Sequence, residues 1–488
     1  MPSYTRHITN VIKVFEMKNI ITQVFAVLVL AICSQHSFAK SHIENISGAW
    51  LGTMNIPQGP SLRIGIEVFK KADGTWGGNI ASLDQGARYM LVSNVMVEKG
   101  IFTLEMAAAP ISVVGKIAHN FKVINAKFNQ GDSAFDLVLN KVTKLPEIPR
   151  AQTPKGSASY IEQEVSYKNS HDNTWLSGTI TIPNGSKQHP AVMLVAGSGP
   201  NHRDSYHAGH RTFKVLADHL TKQGYVVLRS DKRGVYKSAG DFEEATLSDL
   251  VLDTQAAVQY LKSHKRVDSK KIILIGHSEG SLVSIMTAEQ ENVQGLVSLA
   301  GPGMSVLDIL LLQDQTEPAA KGATKSETDM LLNFSQRFYQ IVLSTPSAKL
   351  RKQKIVDLYD SLVGDEAEVV AKWVNKNNGT LSITSAQSHA FYQFLQQNPL
   401  PYWNEYKGKA LILNGDKDSQ VPATENVIGI VSAATNKQAT VESEVFIGLN
   451  HLFQPAKTGS VDEYKDIEET IDEQVLSKIT TWLTVNFN

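Results

Sequence analysis

The residues best suited to chemistry are the five of Gly276-His277-Ser278-Glu279-Gly280. They follow a short apolar run, 272–275, and open a segment with helical periodicity. A G-x-S-x-G sequence at a strand-to-helix turn is the pattern of a nucleophile elbow, whose glycines allow a turn tight enough to expose the serine hydroxyl. The sequence therefore predicts Ser278 as a nucleophile, with Gly276 and Gly280 shaping the elbow.

A serine nucleophile needs a histidine base, and the base needs a carboxylate to orient it. Asp416-Lys417-Asp418 follows the apolar run 410–413, and His451 follows the run 441–446. In serine hydrolases built on parallel sheets, the three groups occur in the order serine, acid, histidine, each after a strand. We predict Asp418 as the acid, with Asp416 as the alternative, and His451 as the base.

The reaction would also need two N–H donors for the oxyanion that forms in the transition state. The backbone N–H of Glu279, directly after the serine, is the first. The second should come from the loop Gly197-Ser198-Gly199-Pro200, which follows the apolar run 191–195. We predict Ser198 as this donor, with Gly199 as the alternative.

Other histidines near these motifs do not indicate a metal site. His277 adjoins the serine and is expected to be a packing residue. His202, His207 and His210 lie close together, but Asp204 is the only acidic residue at ligand spacing. The Gly-Ser-Gly sequence is not followed by a lysine at Walker spacing, so it does not read as a phosphate loop. The sequence predicts no metal and no other cofactor.

Strands and helices must alternate to position these residues. From residue 159 to 488, apolar runs of four to six residues alternate with helical periods, which indicates a parallel sheet covered on both faces. We predict an α/β, mostly parallel, doubly wound sheet. The predicted strands are 191–196, 225–228, 272–275, 296–299, 410–413 and 441–446, and the predicted helices are 212–223, 248–262, 279–290, 423–434 and 467–485.

One long interval, about 303–407, breaks this alternation and is mostly helical in its periodicity. Leu331, Phe334 and Phe338 share one helical face, after a capping-box-like start at Ser326 and Asp329. Because the interval lies between two strands of the sheet, it predicts a helical cap over one sheet edge.

The segment before the sheet reads differently. Residues 43–142 are rich in turns and two-residue alternation, as in the apolar positions 62, 64, 66 and 68, which predicts a small antiparallel barrel or sandwich. The segment contains no convergent polar set, so we predict a structural or dimerising role, with a ligand calyx as the alternative. Pro146, Pro149 and Pro154 mark a linker over 143–158.

The N-terminus resembles a secretory signal peptide. An apolar run, 24–33, follows Met17-Lys18-Asn19, and Ser37 and Ala39 flank Phe38 as at a signal-peptidase site. The run is too short to span a bilayer, although a retained anchor is the alternative. We predict a start at Met17, a signal peptide over 1–39 with cleavage after Ala39, a periplasmic or secreted protein, and no stable membrane span afterwards. Cleavage removes Cys33, the single cysteine, and with it any thiol chemistry.

Composition excludes several classes of partner. Lys plus Arg number 47 against 48 Asp plus Glu, for a net charge of −1, which argues against nucleic-acid binding. The hydrophobic fraction of 42% is ample for a packed core, so the chain is not a disordered one. The expected partner is a small molecule, and the composition leaves open whether the chain forms a homodimer.

From about residue 162 onward the chain resembles bacterial α/β-hydrolases of the serine-hydrolase kind, which include esterases and prolyl-oligopeptidase-like and aminopeptidase-like enzymes. The leading β-domain is similar to one that often precedes such hydrolases. The motifs that carry the resemblance are Gly197-Ser198-Gly199-Pro200, Arg203-Asp204, Gly209-His210, Asp231-Lys232-Arg233-Gly234, Gly276-His277-Ser278-Glu279-Gly280, Gly415-Asp416-Lys417-Asp418, Gln420-Val421-Pro422 and Leu449-Asn450-His451-Leu452-Phe453.

The resemblance implies an α/β-hydrolase fold, with Ser278, Asp418 and His451 as the triad of an enzyme that cleaves carboxylic esters through an acyl-enzyme. The chain departs from the family pattern at Ser281 and Tyr236, where glycine is usual, which bears on substrate preference.

Asp231 and Arg233 are expected to form a structural ion pair.

From the motifs and the resemblance together, the leading expectation is an exported esterase acting on a small-molecule ester. A serine peptidase or an acyl thioesterase shares the same machinery and is the alternative. A non-catalytic ligand-binding protein is less favoured.

Overall fold

The computed structural model describes residues 43–106, 109–156, 158–377, 379–435 and 439–487. The predicted signal peptide lies outside the described residues. The contacts divide the chain into two compact units. Of the described residues, the first unit contains 43–69, Trp76–Ser82 and Val92–Leu145, and the second contains Lys70–Thr75, Leu83–Leu91 and those from Pro146 onward.

The first unit is an antiparallel sheet built on two-residue alternation. Ile64, Ile66 and Val68 are buried on one face, whereas Arg63 is exposed. Its strands follow one another in the order β3-β2-β1-β9-β8-β7-β6-β5, and β3 also approaches β5, so the sheet curls towards a barrel. Over the described residues before 143, the strands are β1 (Gly48–Asn55), β2 (Ser61–Lys70), β3 (Trp76–Ser82), β4 (Ala87–Met90), β5 (Val92–Glu98), β6 (Ile101–Met106), β7 (Ile111–Ile117), β8 (Val123–Gln130) and β9 (Ser133–Val142).

The second unit is built on an eight-stranded sheet of order β10-β11-β15-β12-β16-β17-β18-β19. The pairs from β15 through to β19 are parallel, while β10 and β11 extend the sheet as antiparallel strands. The predicted α/β class with a mostly parallel sheet is confirmed. The strands are β10 (Tyr160–Lys168), β11 (Trp175–Pro183), β12 (His189–Val195), β15 (Val226–Ser230), β16 (Val267–His277), β17 (Gly295–Leu299), β18 (Lys409–Gly415) and β19 (Thr440–Phe446), with a separate short pair β13 (Tyr206–His207) and β14 (His210–Arg211).

Helices cover both faces of this sheet, so its central strands are apolar on both sides. Along β16, Ile272 and Leu274 enter one core, and Ile273 and Ile275 enter the other. Helices α1 and α12 cover the second of these cores, while α2, α3 and α11 pack on the first. These helices are α1 (Thr212–Lys222), α2 (Leu247–Ser263), α3 (Glu279–Glu291), α11 (Ala423–Ala434) and α12 (Glu473–Phe487).

Among the described residues between β17 and β18, seven helices form the predicted helical insertion. Phe334, Phe338 and Trp403 are fully buried and belong to the same core as the α2–α3 face of the sheet. These helices are α4 (Val306–Ala320), α5 (Lys325–Ser344), α6 (Ala348–Asp360), α7 (Gly364–Trp373), α8 (Ile383–Gln387), α9 (His389–Phe394) and α10 (Leu400–Glu405).

The predicted start of α5 was wrong by two residues. Thr324 is the N-cap and Glu327 completes its capping box, so two backbone N–H donors at the helix start are satisfied two residues earlier than predicted. Asp329 binds Lys325 at 2.8 Å instead.

The last helix, in contrast, begins later than the predicted residue 467, at Glu473. The backbone N–H groups of Thr470 and Ile471 donate to the side-chain oxygen of Gln152, at 2.7 and 3.0 Å, so they do not enter a helical ladder. In the described part of the chain, no helix has both the length and the apolar character needed to cross a bilayer.

Candidate active site

Ser278 occupies a strained turn between β16 and α3. Its backbone adopts φ 56° and ψ −126°, a conformation that non-glycine residues rarely hold. The chain passes so close to itself that a Cβ at Gly276 would lie 2.2 Å from the carbonyl oxygen of Gly280. A Cβ at Gly280 would lie 2.1 Å from the carbonyl oxygen of Val195. Both positions therefore require glycine, and the turn has the geometry of a nucleophile elbow.

Asp418 and His451 are brought together from the loops after β18 and β19. The Nδ1 of His451 lies 2.7 Å from the Oδ2 of Asp418, and both side chains are buried. The other carboxylate oxygen accepts the backbone N–H groups of Gln420 and Val421, at 2.9 and 2.8 Å. Because these contacts fix both oxygens, the carboxylate has one orientation in which to bind the imidazole.

Asp416, the alternative acid, faces a different partner. Its Oδ1 accepts the backbone N–H of Gly448 at 2.6 Å, which ties the loop after β18 to the loop after β19. The structure thus brings Asp418, and not Asp416, to the imidazole of His451.

His277 supports the loop that carries His451. Its Nε2 lies 2.9 Å from the carbonyl oxygen of His451, which can only accept, so this nitrogen carries the proton. Burial holds the pKa of His277 well below its usual value, so the ring is neutral. The sequence predicted a packing residue here and missed this hydrogen bond, which a motif alone does not reveal.

The Gly197-Ser198-Gly199 loop lies against the elbow. A Cβ at Gly197 would be 3.0 Å from the Cβ of Ser278. The side-chain amide of Asn201 donates to the carbonyl oxygens of Gly197, Ser198 and Gly199, at 2.9, 2.8 and 3.3 Å. In a trans peptide the N–H group points in the direction opposite to the carbonyl of the preceding residue. Because Asn201 binds the carbonyls of Gly197 and Ser198, the N–H groups of Ser198 and Gly199 point away from the Asn201 side chain.

Ser278, Ser198, Glu279 and His451 line one cavity of about 590 Å³ within the second unit. A cavity of this size holds a small organic molecule. The walls are mostly apolar and come from α3, α4 and α9, with Leu282, Val306, Ile309, Leu310, Phe391 and Phe394 among them.

Few charged groups reach this cavity. Glu279 is the only carboxylate among the described residues that line it, and the ammonium of Lys232 lies 3.0 Å from its Oε1. His207 also lines the cavity, and burial lowers its pKa to about 4, so it is neutral at physiological pH. The cavity therefore favours an uncharged ligand.

Two of the three histidines considered for a metal site, His202 and His210, have separate partners. His202 stacks on Tyr89 with ring centroids 3.9 Å apart, and His210 lies 3.0 Å from the Oγ1 of Thr470 and 2.8 Å from the Tyr464 carbonyl. Across the described ranges, no group of three or more His, Cys, Asp or Glu side chains is arranged to hold a metal ion.

The predicted ion pair between Asp231 and Arg233 is wrong. Asp231 binds Arg203 through the backbone N–H and the guanidinium, with 2.5 Å between Arg203 Nη2 and Asp231 Oδ2. Arg233 instead reaches Asp253 on α2, at 2.7 Å. The two neighbours on the loop point to different parts of the fold.

The two departures from the family pattern lie beside the site. The Oγ of Ser281 donates to the Oγ of Ser298 at 2.7 Å under the elbow. Tyr236 has a positive φ of 46°, where a glycine would be unstrained, and its ring contacts that of His202 at 4.9 Å.

The chain is similar to several proteins that are named esterases. Esterase EstD of Thermotoga maritima is 24% identical over 387 residues, covering 77% of this chain and 84% of the relative. Among solved structures, the esterase Pf2001 of Pyrococcus furiosus aligns with a TM-score of 0.40 and 19% identity, over 71% of this chain and 99% of that one. Est1E of Butyrivibrio proteoclasticus, solved with ferulic acid, aligns with a TM-score of 0.39 and 17% identity, over 66% and 98%.

The model of the BD-FAE family matches residues 179–428. The match begins in β11 and runs through the elbow, the helical insertion and Asp418 into α11, which is just over half of the chain. The predicted kinship with bacterial α/β-hydrolases is confirmed, and the chain belongs to the BD-FAE family of α/β-hydrolase enzymes.

Proposed function

We propose that this enzyme hydrolyses carboxylic esters of small uncharged molecules, through an acyl-enzyme on Ser278. The observation that carries the proposal is the 2.7 Å contact between Asp418 and His451 at the cavity that Ser278 lines. With its Nδ1–H donated to the carboxylate, the imidazole of His451 keeps its Nε2 lone pair free to act as a base. Membership of the BD-FAE family and the kinship with a relative named an esterase support the same reaction.

The proposed reaction has two halves, acylation of Ser278 and hydrolysis of the acyl-enzyme. In the first, the Oγ of Ser278 attacks the ester carbonyl carbon while His451 takes its proton, and the tetrahedral oxyanion is held by the N–H groups of Glu279 and Ser198. The C–O bond to the alcohol then breaks, and His451 gives the proton to the departing alcohol oxygen. In the second half a water molecule repeats the sequence on the acyl-enzyme, which releases the carboxylic acid and restores Ser278.

The cavity supports an apolar, uncharged substrate. Its walls from α4 and α9 present aliphatic and phenyl side chains, and burial of such surface is worth about 25 cal/mol per Å². A free ammonium or carboxylate on the substrate would lose its hydration in the cavity. Among the described residues that line the cavity, no unpaired charge of opposite sign would compensate for that loss.

A substrate panel on the purified protein tests this proposal. We expect turnover of p-nitrophenyl esters with short to medium acyl chains, and much slower turnover of aminoacyl anilides and acyl thioesters. A clear preference for anilides would make the enzyme a peptidase. Tight binding without turnover of any class would make it a ligand-binding protein.

We also infer that the enzyme is exported. The apolar run and small-residue site before Lys40 support cleavage after Ala39. Mass spectrometry of the protein from a bacterial expression host should find it in the periplasm or medium with Lys40 as its first residue. A membrane-bound protein that retains residues 17–39 would contradict export and favour an anchor.

A further inference from the structure

Lys232 lies two residues beyond β15, next to the candidate site. Its Nζ is 2.5 Å from the carbonyl oxygen of Gly197 and 3.0 Å from the Oε1 of Glu279. The Lys232 and Glu279 side chains are only 10% and 12% exposed. The ammonium thus bridges the two segments that the proposed mechanism uses to bind the oxyanion.

The contact with Gly197 fixes the direction of a neighbouring N–H group. The carbonyl of Gly197 and the N–H of Ser198 belong to one planar trans peptide and point in opposite directions. The ammonium of Lys232, together with the Asn201 amide that donates to the same carbonyl at 2.9 Å, therefore sets where the N–H points. It also polarises the peptide, which makes the N–H a stronger donor, because linked hydrogen bonds reinforce each other.

The contact with Glu279 links Lys232 to both residues that supply the proposed oxyanion N–H donors, Glu279 and Ser198. One carboxylate oxygen of Glu279 accepts from Lys232, and the other accepts from the Oγ of Ser198 at 3.1 Å. Ser198 and Glu279, the residues whose backbone N–H groups would bind the oxyanion, are therefore also hydrogen-bonded through their side chains. An unpaired carboxylate beside the reacting carbonyl would oppose a developing negative charge, and the positive charge of Lys232 offsets this repulsion.

We propose that Lys232 is a positioning residue of the oxyanion hole, which orients the Ser198 N–H through the Gly197 carbonyl and neutralises Glu279. This inference rests on the proposed function. Lys232 touches neither the serine hydroxyl nor the imidazole, so its effect should fall on the transition state and leave the binding of the ground-state ester unchanged.

The test is the Lys232→Met variant, with Lys237→Met as the matched control. Lys237 lies on the same loop but pairs with Glu164, at 2.7 Å. Loss of one oxyanion donor typically costs about 10²–10³ in kcat, so loss of its positioning residue should lower kcat by about 10–100-fold with KM changed less than about threefold. A trifluoromethyl ketone, which forms a tetrahedral adduct with the serine, should lose affinity in parallel, and Lys232→Arg should recover part of the activity. Lys237→Met should keep kcat within about twofold.

Lys232→Met leaves Glu279 buried without a counter-charge, which by itself destabilises a fold. The double variant Lys232→Met with Glu279→Gln removes both charges and keeps both backbone N–H groups. It should fold and still show the low kcat. A kcat within about threefold of wild type in folded Lys232→Met, or a loss confined to KM, would overturn the role of Lys232. A low kcat in Lys232→Met that returns to within about threefold of wild type in the double variant would overturn the orienting of the Ser198 N–H and support the neutralising of Glu279.

The outcomes separate this inference from the proposed function. Ester turnover that disappears in Ser278→Ala but is unaffected by Lys232→Met would overturn only the role of Lys232. A wild-type protein that hydrolyses no ester would overturn the proposed function and this inference with it.

Discussion

Two aspartates in one short loop have separate tasks. Asp418 binds the imidazole of His451 and accepts two backbone N–H groups, so its carboxylate is fully occupied. Asp416, two residues earlier, accepts the N–H of Gly448 and joins the loops after β18 and β19. In the proposed mechanism the first contact orients the base, whereas the second contact joins two loops.

Asp418→Asn should therefore lower kcat/KM by about 10³–10⁴-fold at neutral pH, because an amide in that place favours the wrong tautomer of His451. Asp416→Asn should cost less than about tenfold, since the amide oxygen can still accept from Gly448. Steady-state kinetics on the best ester of the panel measure both. If Asp416→Asn proved the more damaging change, Asp416 would be the acid.

At this scale the sequence predicted what lies in short motifs and missed what depends on distant partners. The elbow and the strand-end positions of Asp418 and His451 follow from local pattern. Arg233 was paired with the wrong aspartate because its partner, Asp253, lies on a helix that spacing does not place. The roles of Lys232 and Asn201 were missed for the same reason, since both act on a loop folded against them.

At the level of elements, α4 connects the cavity to the loop that contains Asp418. Ile309 and Leu310 line the cavity, while Thr316, two turns along, donates to the carbonyl oxygen of Ser419 at 2.6 Å. Glu317, the next residue, accepts from the Oγ of Ser419, and its other oxygen lies 3.3 Å from the N–H of Val461. One helix of the insertion thus contacts both the ligand space and the neighbour of Asp418.

The same helix contains a buried carboxyl group whose titration should affect stability. Burial raises the pKa of Asp314 to about 6, and its Oδ2 accepts the hydroxyl of Tyr339 at 2.7 Å. Since the folded pKa lies above the ordinary value of 3.8, the folded state binds the proton more tightly. The resulting stabilisation is present below about pH 4 and is lost as the pH rises through about 6.

Asp314→Asn removes this titration and keeps an acceptor for Tyr339. The unfolding free energy of the variant relative to wild type should therefore rise by about 1–3 kcal/mol between pH 4 and pH 8, as measured by denaturant unfolding. Asp329→Asn on α5, a surface carboxylate, is the control and should show less than about 0.5 kcal/mol. A difference for Asp314→Asn that does not change with pH would show that its carboxyl is not held neutral by the fold.

The elements of the central sheet were largely predictable because strands buried on both faces leave continuous apolar runs. β10 and β11 were not predicted. β10 lies at a sheet edge and is mostly exposed, with buried residues at only three of its nine positions. β11 is buried along most of its length, but Ser177, Thr179 and Thr181 interrupt its apolar residues, so it leaves no continuous apolar run. The start of α5 was misplaced because Ser326 and Asp329 fit the capping-box spacing as well as Thr324 and Glu327 do.

At the scale of the whole molecule, the second unit, which contains the candidate active site and is called the hydrolase unit, includes a segment from the β-rich part of the sequence before residue 143. Leu83–Leu91 belongs to the second unit. There Tyr89 stacks on His202, and the guanidinium of Arg211 lies 5.8 Å from the ring centroid of Tyr89. A chain shortened to begin near Ala151 would lose this part of the unit.

Tyr89→Ala should lower the stability of the hydrolase unit by about 1–3 kcal/mol, because it removes the ring that stacks on His202 and lies beside the guanidinium of Arg211. Tyr89→Phe keeps the ring and should retain most of that stability. Differential scanning calorimetry of the full chain measures both, and kcat on a small ester should stay within about threefold because Tyr89 does not line the cavity. Equal melting temperatures for wild type and Tyr89→Ala would show that the segment contributes nothing to this unit.

The most direct test of the central claim is covalent labelling of Ser278. A fluorophosphonate should add one label per wild-type molecule, and peptide mass spectrometry should locate it on Ser278. Ser278→Ala should fold, take up no label and lose about 10⁴–10⁶-fold in turnover, since the members of a triad act as a unit. Labelling of another serine, or a folded Ser278→Ala variant that keeps more than about a tenth of its activity, would contradict the claim that Ser278 is the nucleophile.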